Sequence, residues 1–133
     1  MNKVVLSLGT NMGKRRENLT LAYRYVEKYI GKIVQSSALY ENPSQGFDSK
    51  NDFINSCIAI ETACQCREVL NKIHLIEQSM GRKRTTEGYE DRIIDIDIIF
   101  YRDQILDEDG LKVPHPKYHE RDFVLIPLKE LNF

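Results

Sequence analysis

Tryptophan is absent from this 133-residue sequence, and cysteine, proline and glycine are scarce, at 3, 4 and 7 residues. Three cysteines, Cys57, Cys64 and Cys66, with no Cys-x-x-Cys pair, exclude a disulfide framework and predict reduced thiols. Cys64, Cys66 and His74 follow no common zinc spacing, so cysteines that are buried or start a helix are expected. No Ser/Gly/Pro linker, internal repeat or low-complexity tract divides the chain. No apolar run approaches the ~20 residues needed to cross a bilayer. The opening Met1-Asn2-Lys3-Val4-Val5-Leu6-Ser7-Leu8-Gly9 is interrupted too early for a signal peptide, so a cytoplasmic protein is expected. Charge of one sign is lacking too. Nineteen Lys and Arg face twenty Asp and Glu, for a net charge of −1. That argues against bulk binding of nucleic acid or an anionic membrane, and leaves room for a local basic patch.

What is present suits one compact domain. At 41% hydrophobic and 29% charged residues, the chain has the composition of a globular protein and not of a disordered one. Its length allows a sizeable core without disulfide or zinc staples.

Lys3–Leu8 reads as a buried strand ended by Gly9, with a loop from Gly9 to Gly13. Leu19, Tyr23, Val26 and Ile30 recur at helical spacing from Arg16 to Ile30, before Gly31. Ile33–Tyr40 is expected as a second strand and Phe53–Thr62 as a third, on either side of a long loop from Glu41 to Asp52. Cys66–Met80 predicts a second helix with Val69, Leu70, Ile73, Ile76 and Met80 inward. A charged loop, Arg82–Arg92, leads into a fourth strand, Ile93–Tyr101. The order β-α-β-β-α-β predicts an α+β, ferredoxin-like fold, a mainly antiparallel sheet with helices packed on it. Gln104–Leu106 and Leu111–Val113 predict a small hairpin, followed by short helical turns broken by Pro127.

The most informative segment is Arg92-Ile93-Ile94-Asp95-Ile96-Asp97-Ile98-Ile99-Phe100. Residues i and i+2 of a strand face the same way, so Asp95 and Asp97 share a face, their Cα atoms about 6.5–7 Å apart. Ile94, Ile96, Ile98 and Phe100 are expected to face the core. Two like charges on one strand face repel, and Asp is depleted in strands. A divalent cation would convert that repulsion into attraction, and oxygen ligands favour Mg²⁺ over zinc. A solvated polar face is the alternative. Arg82, Lys83, Arg84 and Arg92 cluster just upstream. A basic loop feeding into paired carboxylates suits a metal–polyphosphate site, where the metal and Arg forks share the phosphate oxygens. His115 and Arg121, further on, can join it.

Gly9-Thr10-Asn11-Met12-Gly13-Lys14 imitates a phosphate-binding P-loop, but three residues separate the glycines and Arg15 follows the lysine, so it is rejected. Asn55, facing the same way as Phe53 and Cys57, is either a satisfied strand residue or a reader of a heterocycle's edge. Phe53, Tyr89 and Phe123 fit either the core or the walls of a planar ligand site. His74 and Glu77, three apart on one helical face, have the spacing of a surface pair.

The sequence resembles the 6-hydroxymethyl-7,8-dihydropterin pyrophosphokinases of folate biosynthesis over nearly its whole length. The resemblance rests on Leu8-Gly9-Thr10-Asn11, Tyr40-Glu41-Asn42-Pro43 and Phe53-Ile54-Asn55. It continues through Glu77, Gly81-Arg82-Lys83-Arg84 and Arg92-Ile-Ile-Asp95-Ile-Asp97 to Val113-Pro114-His115, Arg121-Asp122-Phe123 and Pro127-Leu128. It implies transfer of a pyrophosphoryl group from ATP to the hydroxymethyl oxygen of the dihydropterin, with release of AMP. Asp95 and Asp97 match the holders of two Mg²⁺ ions and, with Arg82 and Arg92, make the implied catalytic set. Arg82, Arg84, Arg92, His115 and Arg121 match ATP-phosphate contacts, and His74, Glu77 and Ile98 match the nucleotide pocket. Asn42, Pro43, Gln45, Phe53, Asn55 and Phe123 match the pterin pocket. No side chain stands out as a general base.

The chain departs from the family pattern at His74, where Gln is common, at Tyr89, where Trp is common, and at Gly88 and Gly110, where Arg is often seen. Glu90-Asp91 replaces a frequent small residue and Pro. The metal pair and Arg92 are untouched. A monomer acting on ATP and dihydropterin is expected, with no nucleic-acid or membrane partner. A chain ending at Phe133 is expected to hold residues 1–133 as this one domain, without a fused folate enzyme. Two other classes fit parts of the pattern. One is an RNA-binding module, disfavoured because a carboxylate pair repels phosphate. The other is a nucleotidyl or γ-phosphoryl transferase, which its product nucleotide would distinguish.

Overall fold

The computed structural model describes residues 1–42, 52–81 and 93–132. The two long loops expected at Glu41–Asp52 and Arg82–Arg92 lie mostly outside these residues. So do Pro43, Gln45, Arg82, Lys83, Arg84, Gly88, Tyr89 and Arg92.

The main sheet is antiparallel and its centre is β1 (Asn2–Thr10). On one side β1 pairs with β4 (Phe53–Thr62), and β4 in turn carries β2 (Lys32–Ser36) and the short β3 (Tyr40–Asn42). On the other side β1 pairs with β5 (Asp95–Tyr101), which forms the edge. Helix α1 (Arg15–Tyr29) connects β1 to β2, and α2 (Cys66–Ser79) connects β4 to β5. The architecture is therefore α+β, with helices packed on an antiparallel sheet.

Several boundaries differ from the sequence reading. Gly9 does not end the first strand. Gly9 pairs with Asn55 on one side and Asp95 on the other, and β1 runs on to Thr10. The strand expected over Ile33–Tyr40 is broken at Ser37, whose hydroxyl accepts the Cys57 N–H at 2.9 Å while its own N–H donates to the Cys57 carbonyl. A side chain thus takes a ladder position, and the chain resumes as β3. The strand expected from Ile93 begins instead at Asp95, because Gly9–Asp95 is the final pair of that ladder. The hairpin is β6 (Leu106–Glu108) with β7 (Leu111–Val113), two residues later in its first arm than expected.

The sheet's two faces pack differently. Val4, Leu6 and Leu8, with Ile54, Ile58, Ile60, Ile94, Ile96 and Ile98, meet Leu19, Ala22 and Val26 of α1 and Val69, Ile73 and Ile76 of α2. The opposite face is covered at one end by the C-terminal helix α3 (Asp122–Leu128), where Val124 and Leu131 pack on Val5, Cys57, Ala59 and Ile99. Pro127 sits in the last turn of α3, which ends one residue later.

A register shift in the β1–β5 ladder leaves Ile99 without a partner between Ile98 and Phe100. That bulge re-phases the strand. Phe100, expected among the helix-facing residues, packs against the second cluster and meets the Tyr118 ring edge-on at 5.0 Å. Tyr101 takes its place on the helix side and is buried, its hydroxyl donating to the Cys64 carbonyl at 2.6 Å.

Helix α2 opens with a capping box: Gln65 and Glu68 satisfy each other's backbone N–H groups. All three cysteines are free and buried, Cys66 at the helix start, as expected. Burial pushes the Cys57 thiol up to about 12. Among the described residues no helix is long and apolar enough to cross a membrane.

Candidate functional site

β5 is an edge strand, so half of its backbone N–H groups point away from the sheet and need partners elsewhere. One partner comes from α2. Glu77 is 2% exposed and its Oε2 accepts the Ile96 N–H at 3.0 Å. The peptide between Asp95 and Asp97 is therefore tied to a buried carboxylate. Glu77 is not a member of a surface pair, as its spacing from His74 had suggested. With Ile96 turned into the helix-side core, Asp95 and Asp97 lie on the other face, both half-exposed.

A cavity of about 460 Å³ runs along this edge. It brings together seven of the residues singled out in the sequence: His74 and Glu77 from α2; Asp95, Asp97 and Ile98 from β5; His115; and Arg121 at the N-cap of α3. Ile96 also lines it, as does Gly110, where the family pattern often has Arg; Leu70, Leu111, Lys112 and Pro116 line it too and were assigned no site role. Leu70 was readable, since positions 70, 74 and 77 fall on one helical face. The β7 residues carry no such signal, because they reach the cavity only through docking of the hairpin beside β5.

His115 is fixed at both ends of its backbone and ring. Its N–H donates to the Ile99 carbonyl at 3.0 Å, and its Nδ1 accepts the Lys117 N–H at 3.2 Å. With Nδ1 occupied as an acceptor, the neutral ring carries its proton on Nε2. Burial lowers the imidazole's pKa, and the Arg121 guanidinium and Lys117 lower it further, against an opposing pull from Asp95. His115 is thus a neutral donor at pH 7. Arg121 lies half-buried with its guanidinium carbon 5.6 Å from the centre of the Phe123 ring, within cation–π range.

The residues matched to a pterin form a second group. Asn55 is buried in β4. It faces Asp95 across Gly9, so Asn55, Gly9 and Asp95 form one row across three strands. Cys57, Ser7 and Asp97 form the next row. Phe53 is half-buried at the start of β4, and Phe123 is half-buried on α3, which packs on β4. Neither ring, nor Asn55, lines the cavity along β5. Asn42 pairs with Phe53 through the backbone in β3. Gly9 and Ser7 were assigned no role in the sequence, and only the register reveals that they separate the two groups.

Among the described residues no cluster of three or more His, Cys, Asp or Glu side chains can enclose a metal. Asp95 and Asp97 offer two hard carboxylates beside an open cavity. That donor set suits a cation such as Mg²⁺, which keeps several ligands as water or substrate oxygens, and does not suit a closed zinc site.

A family model described as 7,8-dihydro-6-hydroxymethylpterin-pyrophosphokinase matches residues 5–133. The chain is 36% identical over 131 residues to the 2-amino-4-hydroxy-6-hydroxymethyldihydropteridine pyrophosphokinase of Aquifex aeolicus, covering 98% of this chain and 81% of that one. It is 38% identical over 131 residues to the Helicobacter pylori protein of the same name, covering 96% and 79%. Its fold is similar to that of a Plasmodium falciparum HPPK-DHPS crystallised with pteroate, at a TM-score of 0.77 and 19% identity, over 96% of this chain and 38% of that larger one.

Proposed function

Because the chain belongs to the 7,8-dihydro-6-hydroxymethylpterin-pyrophosphokinase family, we infer that ATP lies in the cavity along β5 and the pterin on the adjoining sheet surface at Asn55. The reaction is transfer of a pyrophosphoryl group from ATP to the hydroxymethyl group of hydroxymethyldihydropterin, in folate biosynthesis. The pterin hydroxyl oxygen bonds to the β-phosphorus. The bond from that phosphorus to the oxygen bridging to the α-phosphate breaks, and AMP leaves.

The row Asn55–Gly9–Asp95 carries this reading, since it sets a candidate heterocycle reader beside the carboxylate that opens the nucleotide cavity. Transfer of this kind gains mainly from positioning and charge neutralisation. Asp95 and Asp97 would hold two Mg²⁺ ions, which supply Lewis-acid neutralisation of the triphosphate and acidify the attacking hydroxyl. The Nε2–H of His115 and the Arg121 guanidinium, both in the cavity lining, donate to phosphate oxygens. Leu70, Ile98 and Leu111 give the adenine an apolar seat, with His74 and Glu77 at its polar edge. Arg82, Arg84 and Arg92 add charge to the phosphates, on the strength of the sequence pattern. Phe53 and Phe123 flank the pterin ring; Asn42, Pro43 and Gln45 are assigned to its pocket on the strength of the sequence pattern alone. The sheet order, with helices after the first and third of its long strands, supports the ferredoxin-like arrangement. Residues 1–133 are read as one such domain, working in the cytoplasm on small molecules.

The test is product analysis with MgATP and 6-hydroxymethyl-7,8-dihydropterin. AMP and the pterin pyrophosphate should form in equal amounts, and only when the pterin is present. Formation of ADP, or of AMP without pterin, would overturn the assignment.

A further inference from the structure

Gly9 stands inside a strand that is paired on both sides, where a glycine weakens the sheet and packs nothing. Its backbone does not require it, since its φ lies outside the left-handed region that favours glycine. Space does. A Cβ at position 9 would collide with Oδ1 of Asn55 and lie 3.5 Å from the Asn55 Cγ. The next nearest atom, Cδ1 of Phe53, would be at an ordinary contact distance of 3.7 Å. Asn55 is itself 4% exposed, so its carboxamide has little room to swing elsewhere.

We propose that Gly9 is a positioning residue for the pterin: the missing side chain is the space in which the Asn55 carboxamide lies across β1. An amide reads a heterocycle only when its oxygen and its NH₂ point at the matching edge atoms, and any side chain at position 9 turns it away. Because Asp95 flanks Gly9 on its other side, the same gap holds the amide close to the carboxylate row. The proposal rests on the reading of Asn55 as a pterin contact.

The experiment compares Gly9→Ala, Asn55→Ala and the double variant with the parent enzyme. Pterin and ATP affinities are measured separately by calorimetry, and melting temperatures are recorded. Gly9→Ala should weaken pterin binding at least tenfold and change ATP binding less than twofold. The double variant should bind pterin no more weakly than Asn55→Ala alone, and should melt higher than Gly9→Ala, because the collision partner is gone. Additive losses of pterin affinity, or a double variant that melts no higher than Gly9→Ala, would overturn the proposal even if Gly9→Ala folds poorly. If Asn55→Ala leaves pterin affinity unchanged, the underlying reading fails and the proposal falls with it. If only Gly9→Ala is without effect, the proposal falls alone.

Discussion

The two faces of the β4–β1–β5 sheet are built from the same three strands and do different work. On the helix side Val4, Leu6 and Leu8 of β1 are apolar, and so are their strand neighbours apart from Ser56, whose hydroxyl is hydrogen-bonded to that of Tyr23 in α1. On the other side β1 presents Val5, Ser7 and Gly9 in turn. Val5 lies in the cluster under α3, beside Ala59 and Ile99. Ser7 lies between Cys57 and Asp97, and Gly9 between Asn55 and Asp95. One face is mainly a core, with Ser56 and Thr10 as buried polar residues within it. The other grades from core to chemistry within a few residues, from Val5 to the Asn55–Gly9–Asp95 row. Alternation in a strand lets one face hold the fold while the other varies.

That division can be broken most directly with paired substitutions on facing strands. Asp97→Ala should cost at least ~10²-fold in turnover, given the several kcal/mol a bound metal contributes to transition-state charge. It should leave the melting temperature as high as before, since the side chain is half-exposed. Leu6→Ala, one position from Asp97's partner Ser7 but on the opposite face, should do the reverse. It should cost ~2–5 kcal/mol of stability in a urea titration, while the folded fraction still turns over. Near-native turnover by Asp97→Ala, or a stability loss matching that of Leu6→Ala, would erase the distinction. Asn55→Ala should cost ~1–3 kcal/mol in pterin binding by calorimetry, because polar edges of the ring lose their partner. Equal weakening of ATP would make Asn55 structural.

The smallest effect concerns His115 in protein free of ligands. Its folded pKa is held below the ordinary 6.5, chiefly by burial and then by Arg121. The unfolded chain therefore binds more protons in that range, so stability rises with pH and is lost as pH falls below 6.5. The slope for one proton cannot exceed ~1.4 kcal/mol per pH unit. Urea midpoints between pH 7 and pH 5 should fall, and should fall less in His115→Gln; parallel slopes would remove His115 as the cause.

The legible parts of the molecule are those written in local pattern. Phe53–Thr62 forms a strand over the expected residues, and the Asp95/Asp97 alternation places both carboxylates on one face. Charge, spacing and family resemblance single out seven residues that line one cavity. What escaped depends on partners distant in sequence. The Ile99 bulge was invisible because Ile98-Ile99-Phe100-Tyr101 is apolar at every position and offers no alternation to read. Ser37's capture of the Cys57 N–H depends on a strand twenty residues away. Gly9 looked like punctuation. Only its place between Asn55 and Asp95 shows that its lack of a side chain matters.

Strand order also bears on when the enzyme comes into being. β5 is the last strand of the main sheet to be synthesised, yet it pairs with the first. Until it arrives, β1 has an open edge and Asp95 and Asp97 have no sheet to stand on. Such pairing between distant parts of a chain is slow to form. A growing polypeptide cut short before β5 holds much of the helix-side core and none of the carboxylate site. Ligands bound at that site therefore stabilise only the completed chain, and their effect on unfolding reports whether its two ends have met.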